Sequence, residues 1–139
     1  MGAVHRKYGR ARRVEKVGRR LLAEPHRQCR AIQGIARSFL QRVQEANILF
    51  SSYLEGWKSD RGIIYVIYGP PSRVYRSTSG ESWVYGDESS ALSYHFNFLR
   101  VGNPFTDNDY SLERSSTYRY GWGQAIESWR NGHIYNSKI

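Results

Sequence analysis

In the stretch Leu92-Ser93-Tyr94-His95-Phe96-Asn97-Phe98, Leu92, Tyr94, Phe96 and Phe98 fall on one side and Ser93, His95 and Asn97 on the other. Side chains of a strand alternate between two faces, so this pattern predicts a strand with one face in a core and the other in water. Such a strand needs sheet neighbours and a second layer over its apolar face. The neighbours are foreshadowed by Val74-Tyr75, by Ser82-Trp83-Val84-Tyr85 after the Ser79-Gly80 turn signal, and by Tyr110-Ser111-Leu112-Glu113 beyond the break at Gly102-Asn103-Pro104. Ile63-Ile64-Tyr65-Val66-Ile67-Tyr68 is β-branched and aromatic throughout, between Gly62 and Gly69-Pro70-Pro71. It reads as a central strand covered on both faces, ended where two prolines withhold ladder donors.

The second layer is helical. Beyond Pro25, Ile32, Ile35, Ala36, Phe39, Val43, Ala46 and Phe50 keep the three-and-four spacing of one apolar stripe, which predicts a long helix that must bury that face. Tyr118, Trp122, Ala125, Ile126 and Trp129 return to helical spacing, with Gly132 placed as a C-terminal cap. Val14, Val17 and Leu21 give a weaker signal, interrupted by Gly18. The expectation is α+β: a long helix packed on a mainly antiparallel sheet of four or five strands, and a short C-terminal helix.

A chain of 139 residues allows one domain of ordinary size, and 20 aromatic side chains supply a core without metals or disulfides. The longest apolar run, Ile63 to Tyr68, is far short of the roughly 20 residues that a membrane helix needs. No secretory signal is visible, so the chain as written reads as soluble, without a membrane span, and cytoplasmic if its start is genuine. Cys29 is alone, which excludes an internal disulfide and a thiolate metal cluster.

Charge and aromatics divide the chain. Residues 1–42 carry twelve Lys and Arg against only Glu15 and Glu24, whereas 17 aromatic residues follow residue 52. Residues 1–24 are therefore expected to be a basic head, disordered or non-native, and residues 25–139 the α+β domain. Any pull on nucleic acid belongs to that head, through Arg6, Arg10, Arg12, Arg13, Arg19 and Arg20.

The run RVQEANILFSSYLEGWKSDRGIIYVIYGPP, residues 42–71, resembles the GWxTD domain, a bacterial domain of unassigned biochemistry. The namesake motif is Gly56-Trp57-Lys58-Ser59-Asp60, with a serine hydroxyl where the pattern has threonine, followed by Arg61-Gly62. Glu81-Ser82-Trp83-Val84-Tyr85 and the segment from Asn103 to Tyr110 also match, so the resemblance covers about residues 30–135, and the Arg-rich head departs from it. The resemblance implies an exported or envelope-associated protein, in the envelope or periplasm, and brings no catalytic residues with it.

Physically, Trp57-Lys58-Ser59-Asp60-Arg61-Gly62 reads as a structural corner: Ser59 or Asp60 accepts backbone N–H groups, and Asp60 can pair with Lys58 or Arg61. The competing reading is a recognition loop, since loops carry function as well as turn chemistry. Asp107-Asn108-Asp109 with Glu113 suggests calcium, but counted as an EF-hand loop from Asp107 the positions needing Gly and Glu hold Leu112 and Tyr118, so no metal is expected. His95 with Ser93, Asp107 or Asp109 could form an acid–base cluster only if folding assembled it.

Taken together, these readings favour a non-catalytic interaction module with no cofactor. It would bind an envelope protein or glycan through Trp57, Lys58, Ser59, Asp60, Arg61, Tyr68, Pro70 and Pro71. The alternatives are a nucleic-acid binder acting through the Arg head and a hydrolase using His95 and Asp107 or Asp109.

Overall fold

A computed structural model describes residues 29–91 and 93–135. The chain divides into two compact units, residues 1–34 and 35–139. Of the first, residues 29–34 are described and are helical. The basic head, Leu92 and the spacing of Val14, Val17 and Leu21 lie outside the described residues.

In the second unit, helix α1 occupies residues 35–50, and a 3-10 turn at Gly56–Lys58 leads into α2, Asp60–Tyr68. Four strands follow: β1 (Arg73–Arg76), β2 (Gly80–Tyr85), β3 (Tyr94–Arg100) and β4 (Tyr110–Leu112). They form one antiparallel sheet in the order β1-β2-β3-β4. A second 3-10 turn, Ser116–Tyr118, opens α3, Arg119–Arg130. The architecture is α+β, as expected, with the alternation of β3 intact: Phe96 and Phe98 are buried while His95 and Asn97 are exposed.

One element differs from the sequence expectation. Ile63–Tyr68 is not a central strand but most of α2. A short apolar run does not distinguish a buried strand from a buried helix, and here the caps at the two ends of the element and the packing around it decide. Ser59 caps the helix by accepting the Gly62 N–H, and Asp60 places a carboxylate in the first turn. Gly69 ends it at φ 83°, with its N–H on the Tyr65 carbonyl. Ile64, Tyr65, Val66 and Tyr68 are buried, so tertiary packing outweighs the modest helix propensity of β-branched residues.

The core lies between α2 and the inner face of the sheet. Tyr68 meets Phe96 edge-on at 5.0 Å and Tyr85 at 5.2 Å, and Trp83 packs on Phe98 at 4.8 Å. The stripe of α1 joins this core at Val43, Ala46 and Phe50. Arg42 donates to the carbonyls of Val66 and Ile67, and the Trp129 indole donates to Ile67, so α1 and α3 together satisfy the open C-terminus of α2. At the end of α3, Gly132 (φ 75°) bonds to the Trp129 carbonyl and His133 to that of Ser128. That pair of bonds is the Schellman cap anticipated at Gly132.

Candidate binding site

The corner before α2 is built by close backbone approach. A Cβ on Gly56 would lie 2.0 Å from the Ala46 carbonyl oxygen, and one on Gly62 would lie 1.8 Å from that of Gly56, so three backbones stack where only glycine fits. The Ser59 hydroxyl donates to the Gly56 carbonyl at 2.7 Å while accepting from Gly62, which any hydroxyl residue could do. Asn47 accepts the Trp57 N–H, tying the turn back to α1. The Asp60 carboxylate accepts the Leu112 N–H on β4 at 2.8 Å.

Arg61 is buried, at 4% exposure. It pairs with Glu81 at 3.4 Å and donates to the backbone and side-chain oxygens of Asn108. Its guanidinium lies 3.9 Å from the ring centre of Tyr110 and 5.1 Å from that of Phe50. Burial pulls its pKa down, against the opposing pull of Glu81, yet an arginine stays cationic. The Trp83 indole also donates to Glu81, as does the exposed Arg76 from the far side. Around this network opens a cavity of about 470 Å³, walled by Leu49, Phe50, Tyr65, Pro71, Val74 and Trp83.

The segments that carried the family resemblance thus converge. Arg61 follows the namesake motif, Glu81 comes from the second segment, and Asn108 and Tyr110 from the third, and these meet around one guanidinium, with Trp83 of the second segment joined through Glu81. A family model of the GWxTD domain matches residues 7–131. The chain belongs to the GWxTD domain family. The GWxTD match takes in most of the basic head that composition sets apart. No curated protein and no solved structure matches this GWxTD chain.

The nominated binding residues divide among different places. Arg61 and Pro71 line the cavity, Pro70 is exposed beside it, and Ser59 is engaged in the cap. Asp60 borders a second, larger cleft of about 620 Å³ with Ile63, Arg114, Arg119 and Trp122. Trp57 is 41% exposed, with Lys58 over its ring and paired to Glu55. Tyr68 is in the core at 1% exposure, and its hydroxyl has no hydrogen-bond partner among the described residues. The six nominated head arginines lie outside the described residues.

The acid–base cluster is not assembled. His95 is near the start of β3, where Ser93 is 3.4 Å away, whereas Arg100 at the other end pairs with Asp107 and Val101 bonds to the Asp109 carbonyl. Five residues of strand separate the two ends by about 17 Å. Asp109 instead accepts from Asn103, Glu113 accepts from Asn97, and Asn108 turns to Arg61, so the loop's oxygens point to separate partners. Sequence reasoning nominated Arg61 but not its partners Glu81 and Asn108, although both stood inside matched segments. The available signal was a lone acidic residue ahead of the strand aromatics in Glu81-Ser82-Trp83.

Proposed function

We propose that this GWxTD domain is a non-catalytic interaction module of an envelope-associated bacterial protein, and that its partner, a protein or a glycan, seats at the aromatic cavity beside the GWxSD corner. The observation that carries this reading is that all three motif segments serve to build one cavity that stays open to solvent. Its charged groups, Arg61, Glu81 and Arg76, are paired with one another, an arrangement suited to holding a surface rather than transferring protons. Exposed apolar side chains line it: Leu49 at 53% and Val74 at 39%. Aromatic and apolar side chains on a rigid frame are the usual anchors of recognition. The envelope assignment is supported by family resemblance.

The test is photo-crosslinking in cells from single positions at Leu49, Trp57 and, as a remote control, Gln124 on α3. The expected result is a discrete adduct with an envelope component from Leu49 and Trp57 and none from Gln124. Uniform adducts at all three positions, or no adduct at any, would remove the interaction reading.

A further inference from the structure

The two edges of the sheet are finished differently. In an antiparallel ladder, alternate residues turn their N–H and C=O groups toward one neighbour or the other. On β4 the outward N–H of Leu112 is taken by Asp60. On β1 the Ser77–Gly80 bond at the hairpin sets the alternation, so Arg73 and Tyr75 bond to β2 while Val74 and Arg76 turn their backbone groups away from it. No described residue takes those groups, and all four residues of β1 are exposed.

The side chains of Val74 and Arg76 share the inner face with Trp83 and Glu81, their partners on β2, and line the cavity opposite Leu49 and Phe50. An open strand edge facing a helix end across an apolar cavity offers main-chain hydrogen bonds on one side and a side-chain pocket on the other. The Arg76 side chain is 77% exposed, and its carboxylate partner Glu81 already serves Arg61 and the Trp83 indole, leaving guanidinium donors free for a second carboxylate. Pairing β1 antiparallel with a second copy of itself through its outward groups would set Arg76 against Val74 or against another Arg76 and supply it no carboxylate, which disfavours self-association.

We propose that the β1 edge binds an extended polypeptide segment of a partner as an added strand. The segment would carry an apolar side chain opposite Val74, entering the cavity, and an acidic side chain two residues away, opposite Arg76. This rests on the interaction-module reading and names the chemistry of the partner.

Peptides selected from a random displayed library against the full chain test it. The expected consensus has an apolar and an acidic residue two apart. Val74→Pro removes an outward N–H that the β1–β2 ladder does not use, so the fold should survive while the best peptide binds about tenfold more weakly. Methylating the peptide's own alternate amides gives the same test on the unaltered protein. Arg76→Glu should switch the preference from acidic to basic peptides. Enrichment of no peptide, equal binding after amide methylation, or a charge preference indifferent to Arg76→Glu would each overturn the proposal and leave the arginines as guards against edge aggregation. The selection needs no native partner, so its failure and a failure to crosslink in cells are separate results.

Discussion

The Asp60 carboxylate accepts the Leu112 N–H at 2.8 Å, joining residues 52 positions apart. From the first turn of α2 it complements the helix dipole and also closes the free edge of β4. The last residue of the namesake motif therefore couples a helix start to a sheet edge. Asp60→Ala is expected to cost about 2 kcal/mol, and Asp60→Asn, which keeps an acceptor, about half of that. Urea unfolding of the two variants checks the order.

The glycine stack allows no side chain. Gly56→Ala and Gly62→Ala would press a methyl group into backbone rather than into a movable side chain. Each is expected to lower stability by about 3 kcal/mol or more, or to prevent folding. Gly123→Ala, where nothing lies within 4 Å, provides the contrast and should be neutral or slightly stabilising. Thermal melts of the three variants measure this.

Arg61 and Glu81 are nearly buried together, with side chains 5% and 9% exposed. Removing one leaves a desolvated charge, so Arg61→Met alone should cost about 3 kcal/mol, whereas Arg61→Met with Glu81→Leu should be less damaging than the single change. A double-mutant cycle by denaturant unfolding reads the coupling. A double variant less stable than Arg61→Met alone would show that Glu81 acts mainly through Trp83 and Arg76.

Burial, reinforced by its hydrogen bond to Glu45, pushes the Tyr65 hydroxyl up to about 12. An unfolded tyrosine titrates near 10, so between these values the unfolded chain releases a proton that the folded chain keeps. The stabilisation is complete below about pH 10 and is lost as pH rises toward 12. Stability measured across that window should decline less steeply in Tyr65→Phe than in the parent. It should not become flat, because burial also raises Tyr135 to about 12.

The Tyr68 hydroxyl is buried without a partner among the described residues, while the ring meets Phe96, Tyr85 and Tyr135. Tyr68→Phe keeps those ring contacts and removes an unpaired polar group, so it is expected to raise stability by about 1 kcal/mol. A lower melting temperature would show that the hydroxyl is satisfied by a water or another group.

Much of the fold is legible in the sequence, and for identifiable reasons. The alternation from Tyr94 to Phe98, the stripe through Val43, Ala46 and Phe50, and the glycine after α3 each express a local period or cap that burial then reinforces. Arg61 was visible as part of a motif. Its environment was not, because Glu81 and Asn108 lie 20 and 47 positions away and nothing local predicts which carboxylate a buried arginine will meet.

By itself the sequence determined the fold class, the strand that anchors the sheet, and the corner at Gly56-Trp57-Lys58-Ser59-Asp60, since each rests on periodicity or turn chemistry within a few residues. Only the tertiary structure decided that Ile63–Tyr68 is a helix and that the matched segments enclose one cavity. The run from Ile63 to Tyr68 suits either conformation. It becomes helical because Ser59 and Asp60 cap it, while Arg42 and Trp129 satisfy the carbonyls at its far end. Those last two partners come from parts of the chain that only folding brings near.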